Sequence, residues 1–162
     1  MSFFFSRFLR NSAIVLQVAC GYQVFNDYVA EWTFCSGPSM LPTLNVTGDL
    51  VVFERLTTRF SEFKTGDVVV AVSPFDPTKS ICKRVIGVPG DKVCIDPVSE
   101  HRQYITVPPG HFWLTGDNLK HSLDSREYGP VAAGLVLGKV VARLYPNRKW
   151  IRNNLEKIEE FA

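Results

Sequence analysis

Three times in this chain the dipeptide Gly-Asp stands directly before a β-branched apolar run: at 48–49 before LVVFERL, at 66–67 before VVVAVS and at 90–91 before KVCID. Glycine accepts positive φ and aspartate bonds the backbone of a turn, so each pair reads as a turn feeding a strand. The segments SICKRVIGV (80–88), HFWLTGDN (111–118) and LVLGKVVARLYP (135–146) complete the set. Short, frequent strands with no helical period between them predict a mainly β, antiparallel body of meander or barrel-like form. The lengths between the Gly-Asp pairs differ, so they are turn chemistry and not an internal repeat. Ten prolines and eleven glycines suit such a body better than a bundle. At 162 residues there is room for one domain with a real core and an appended segment.

The two ends break the strand pattern. Residues 1–30 carry Arg7 and Arg10 ahead of the apolar stretch SAIVLQVACGYQVF (12–25), which Asn26 and Asp27 close. Basic residues before an apolar run are the pattern of a signal anchor or targeting segment. Gln17 and Gln23 interrupt the run, whose unbroken apolar part is shorter than the ~20 residues of a spanning helix. A helix over about 8–30 is expected, either crossing a bilayer, lying on its surface or packing on its own domain. Residues 31–146 form the body. In the tail, 147–162, Trp150 or Ile151, Leu155, Ile158 and Phe161 fall near helical spacing behind Asn147, which predicts a short amphipathic helix.

A net charge of +2 gives no reason to expect a nucleic-acid partner. The cysteines at 20, 35, 82 and 94 contain no C-x-x-C pair, and Cys82, Cys94 and His101 match no familiar metal spacing. They are read as unpaired, mostly buried thiols, with no metal site expected.

The segment GPSMLPTL (37–44) places Ser39 between Pro38 and Met40, with Pro42 following. Neither helix nor central strand survives prolines that close, so a stiff loop presenting one hydroxyl is expected. A serine hydroxyl becomes a useful nucleophile only when a neighbour takes its proton. One candidate base is Lys83, an ionisable residue inside an apolar strand with Ile81 and Val85 on its own face. Buried there, it would have to fall roughly three units from about 10.4 to be half neutral at pH 7. The other is His121, beside Asp124, which would make a Ser-His-Asp arrangement, although it lies in a polar loop.

The segments GPSMLPTL, GDLVV, GDVVV, CKRVIGVPGD and GDNLKHSLDSREYGPV, in that order over about residues 35–145, resemble the successive boxes of the type I signal peptidases. These are serine-lysine membrane proteases with an antiparallel β body. The small size, the single N-terminal apolar segment and the run CSGPSM resemble more narrowly the mitochondrial inner membrane branch of that family. The resemblance implies Ser39 as nucleophile, Lys83 as general base and Ser122 as the hydroxyl that aligns the lysine amine. It implies an ion pair between Asp124 and Arg126, with Arg84 sharing that aspartate. Gly116, Asp117 and Asn118 match the turn that brings this loop to the site, while Gly37, Pro38, Met40 and Pro42 match the nucleophile loop and substrate groove. One position departs from the bacterial pattern: a serine that supplies an oxyanion donor two residues before the nucleophile is Gly37 here, so the Ser39 amide and some other donor, such as a second backbone N–H, would have to serve.

The resemblance further implies cleavage of presequences from preproteins without any cofactor, at the mitochondrial inner membrane with the body facing the intermembrane space, and a related second subunit as partner. Two rival readings share parts of the pattern. An autoproteolytic repressor of the LexA type has a similar serine and lysine, but the apolar N-terminus leaves no room for its helix-turn-helix. A non-catalytic, membrane-anchored adaptor would keep the fold without turnover.

Overall fold

The structure is a computed structural model that describes residues 2–97, 101–153 and 155. Each run marked by a turn signal is a strand: β2 (Asp49–Glu54), β3 (Val68–Val72), β4 (Ser80–Gly87), β5 (Lys92–Cys94), β7 (His111–Thr115) and β9 (Val136–Tyr145). Four further strands carry no such signal: β1 (Ala30–Cys35), β6 (Tyr104–Thr106), β8 (Val131–Ala132) and β10 (Lys149–Trp150). The last three are too short for alternation to register, and β1 abuts the apolar N-terminal segment without a turn residue.

The turn aspartates do what their position suggests. Asp49 accepts from the Asn45 amide at 2.8 Å, Asp67 from the Lys64 amide at 3.0 Å and Asp91 from the Val88 amide at 3.0 Å. Each carboxylate thus closes the turn that precedes its strand. Asp49 and Asp67 are buried, and each is matched by a cation from β9, Arg143 at 3.2 Å and Lys139 at 2.8 Å.

The main sheet runs β1-β2-β9-β3-β4-β7-β8, with β10 on β9, and β5-β6 form a separate hairpin. All pairings are antiparallel. A simple meander would pair β2 with β3; instead β9, from far along the chain, lies between them. Register shifts in the β2–β9, β3–β9 and β4–β7 ladders bend the strands, and the sheet curls into a half-barrel.

The strand β3, VVVAV, shows no alternation because both of its faces are covered. Val68 and Val70 pack with Met40, Leu44, Val51, Phe53 and Val140, whereas Val69 and Ala71 pack with Val85, Leu114 and Val136 among others. Burying each such valine or phenylalanine contributes roughly 1.5–3 kcal/mol. A smaller cluster of Val93, Val107 and Trp113 underlies the β5–β6 hairpin.

The N-terminal helix α1 spans Ser2–Tyr28. The reading in which it packs on its own domain fails: residues 10–25 are exposed, including Val15, Leu16 and Val18 at 69%, 65% and 67%. Among the described residues no helix is long and apolar enough to cross a membrane. The tail also differs from expectation. Behind Asn147 it forms β10, with Lys149 opposite Arg143 and Trp150 opposite Ala142, because the open side of β9 offers ladder partners that a solvated helix turn would lack. Ile158 and Phe161 of the expected helix lie outside the described residues.

Candidate active site

The loop carrying Ser39 is held from both sides. Gly37 adopts φ +110°, open only to glycine at low cost, and its N–H donates to the Val46 carbonyl at 2.6 Å. Pro38, Ser39 and Met40 form a single 3-10 turn, and the Leu44 amide returns to the Met40 carbonyl at 2.9 Å. Met40 and Leu44 are buried in the core against Val51 and Phe53. The loop therefore cannot swing without emptying core sites, and the serine between these anchors is fixed.

Lys83 enters the interior through strand alternation. Lys83, Val85 and Gly87 are the buried positions of β4, and Lys83 lies opposite Val69 of β3. The residue is only 4% exposed. Burial pushes its amine pKa below the ordinary lysine value; the charge of Asp124 pulls the other way. Its Nζ donates to Ser122 Oγ at 2.9 Å.

Ser122 also neighbours Asp124 and helps hold its carboxylate in the charged form. Asp124 is fully buried and accepts from the Gly116 amide at 3.0 Å and from Arg126 Nε at 2.8 Å. Burial alone would raise its pKa, but the bonds from Arg126, Ser122 and the two amides outweigh it and hold the carboxyl below its usual range. Arg126 also donates to the carbonyls of Leu119 at 2.7 Å and Ser122 at 3.2 Å, clamping the loop that carries Ser122. A lysine amine that donates to Ser122 Oγ makes the serine oxygen the acceptor of that bond.

Arg84 does not share Asp124. It forms a two-pronged pair with Asp117, at 2.7 Å for each prong, and donates to the Gly66 carbonyl at 2.7 Å. Arg84 follows Lys83 on the strand and so faces the opposite side of the sheet, which puts Asp124 out of its direction. Thr43, from the Ser39 loop, hydrogen-bonds Asp117 and accepts from Arg84 at 3.3 Å. Sequence reading missed Thr43, since a hydroxyl four residues past Ser39 has no chemistry of its own.

The turn 116–118 is bound to the Ser39 loop. The Asn118 amide donates to the Ser39 carbonyl at 2.9 Å, and its side-chain amide donates to the Pro38 carbonyl at 3.1 Å. A Cβ at Gly116 would stand 2.3 Å from Ser122 Oγ and 2.4 Å from the Ser39 carbonyl oxygen. Gly116 is therefore where the two loops touch.

Ser39 and Lys83 line one open groove, together with Cys35, Ser36, Gly37 and Cys82. Gly37 brings no hydroxyl to it, and its N–H is already given to Val46. His121 does not join the groove: it is exposed, its own amide turns back to Asn118, and the bonds to Asp124 come from Ser122, Gly116 and Arg126. The Ser-His-Asp arrangement is not formed. Among the described residues no cluster fit to hold a metal is present. All four cysteines are free; Cys35, Cys82 and Cys94 are partly buried, and Cys20 alone is exposed against the expectation of buried thiols.

A buried lysine and a rigid loop serine on one groove are joined by a matching family model, "Signal peptidase, peptidase S26", over residues 8–99 and 95–145. The chain belongs to the signal peptidase family. It is 46% identical to the mitochondrial inner membrane protease subunit 1 of Schizosaccharomyces pombe over 90% of this chain and 92% of that one. It is 43% identical to the protein of the same name from Homo sapiens, over 81% and 79% of the two chains. Similarity extends to the mitochondrial inner membrane protease subunit 2 of Danio rerio, 40% identical over 78% of this chain and 70% of that one. Within the signal peptidase family, the chain is thus similar over most of its length to the mitochondrial inner membrane protease, subunit 1.

Proposed function

We propose that this protein is a serine endopeptidase that removes sorting presequences from preproteins delivered to the mitochondrial intermembrane space, with Ser39 as nucleophile and Lys83 as general base. The observation that carries the reading is the buried Lys83 amine, held on Ser122 Oγ in the groove that also contains Ser39.

The chemistry follows from the hydrogen-bond order. With Ser122 accepting one N–H of a neutral Lys83, the amine lone pair is free to take the Ser39 proton. Ser39 Oγ attacks the scissile carbonyl, the lysine returns the proton to the leaving amine, and an acyl-enzyme remains. Water deprotonated by the same lysine then hydrolyses the ester. No step calls on a metal or organic cofactor. The oxyanion is met by the Ser39 amide and a second donor other than Gly37, whose N–H is committed to Val46.

An extended preprotein segment fits the edge strand β1, which ends at Cys35 beside the groove and has a free ladder side. The exposed apolar helix α1, with Arg7 and Arg10 near its start, supports anchoring at the inner membrane with the body toward the intermembrane space. Relatives named subunit 1 and subunit 2 support a related second subunit as partner.

The test compares preprotein N-termini in cells carrying wild type or Ser39→Ala. Presequences retained in the variant, at normal protein level, are expected; unchanged N-termini overturn the reading.

A further inference from the structure

Two groove residues have no part in that chemistry. Cys35 is the last residue of β1, four residues before Ser39, and Cys82 immediately precedes Lys83 on β4. Three strands, β2, β9 and β3, separate them along the sheet. The curl nevertheless brings both residues to the wall of one groove, packed against the same core cluster of Met40, Leu44 and Val70 among others. Both are free and half-buried, so solvent reaches the pair.

We propose that Cys35 and Cys82 form a reversible disulfide that draws β1 onto β4 and closes the groove over Ser39. The inference rests on the peptidase reading for its functional consequence, though not for the bond itself. The sulfurs must approach to about 2.05 Å, and the movement falls on the strand end that leads into the nucleophile loop. A disulfide-bearing oxidant such as oxidised glutathione supplies the chemistry. One thiolate attacks the oxidant, giving a mixed disulfide and releasing one reduced thiol. The second loses its proton and attacks the first protein sulfur, releasing the other thiol. The protein loses two protons and two electrons, and the oxidant is reduced by the same two electrons.

The two thiols are suited to different parts in this exchange. The neighbouring Cys82 thiol lowers the Cys35 pKa, which favours Cys35 as the attacking thiolate. The Cys35 thiol, with burial, raises that of Cys82 well above the ordinary thiol value, as suits the resolving partner.

The full chain, in detergent, is equilibrated with oxidised or reduced glutathione; the disulfide is mapped by peptide mass spectrometry and cleavage of a presequence peptide is timed. Expected are a Cys35–Cys82 crosslink and a fall in cleavage on the order of tenfold or more, restored by dithiothreitol. A Cys20→Ser/Cys94→Ser double variant should show the same response. Cys35→Ser and Cys82→Ser should each give an oxidised-to-reduced rate ratio near one, taken against the same variant. A crosslink absent under oxidation, or present without loss of rate, overturns the inference. If the reduced wild type cleaves nothing, the peptidase reading fails instead, and the mapped bond still decides whether the thiols pair.

Discussion

Lys83 Nζ lies 2.9 Å from Ser122 Oγ, although 39 residues separate them in the chain. The bond fixes the orientation of an amine that burial has already turned toward its neutral form. Orientation and neutrality are the two conditions a lysine must meet to take a proton from a serine.

Replacing that lysine separates catalysis from stability. Lys83→Met keeps the apolar stem, and cleavage should fall by on the order of a thousandfold or more. The folded-state pKa of Lys83 is lowered, so the unfolded chain binds its proton more readily and the native state is penalised as pH falls below about 10.4. Lys83→Met should therefore raise Tm at pH 7, with the gain shrinking as pH approaches that of free lysine. Thermal denaturation at several pH values, beside peptide cleavage, checks both; normal cleavage by the variant removes the base role.

The pH profile of kcat/KM should rise along a single lysine limb whose midpoint lies below the ordinary lysine value. Asp124 opposes that shift through its charge. In Asp124→Asn the limb should move to still lower pH, even though the maximal rate falls. A limb that moves upward, or stays still, would show that Lys83 does not set it.

Asp124 also ties stability to acid. Its folded-state pKa is lowered, so its stabilisation is full above about 3.9 and is lost as pH falls through the folded-state value. Wild type should lose Tm across that acid range more steeply than Asp124→Asn, in parallel scans by circular dichroism.

Gly116 is the contact point of two loops. Gly116→Ala puts a methyl against the Ser39 carbonyl oxygen and Ser122 Oγ, neither of which has room to retreat while the hydrogen bonds persist. We expect folded protein with cleavage reduced about a hundredfold, since small misplacements at a reacting centre cost that much. Full activity in Gly116→Ala would mean that this approach is not needed.

Arg84 binds Asp117 with two prongs and reaches Thr43, so it links the Ser39 loop to the 116–118 turn. A lysine cannot reproduce the fork. Arg84→Lys should lose about 1–3 kcal/mol of stability and lower kcat more than it raises KM. Denaturant titration and steady-state kinetics read these separately.

Much of the framework was legible in local chemistry. Gly-Asp turns and β-branched runs located six strands, and the two closely spaced prolines marked a stiff loop at Ser39. The strands of two or three residues were not legible, because a period of two needs more positions to appear. The tail misled: Trp150 has helical spacing to its neighbours, yet an unpaired side of β9 recruits it as β10. At the site, alternation in β4 correctly put Lys83 with Val85 on the buried face. The partner of Arg84 was misassigned because two aspartates, 117 and 124, lie close in sequence and only their direction in space separates them.

By itself the sequence determined where the chain turns, which runs lie in the sheet and which hydroxyl is held rigid, since each depends on residues within one turn or strand. The tertiary structure alone decided that Lys83 and not His121 shares the groove with Ser39, that Arg84 takes Asp117, and that Cys35 and Cys82 line that same groove. These contacts join residues far apart in the chain. They depend on β9 entering between β2 and β3 and on the sheet curling, and no local pattern of residues encodes either.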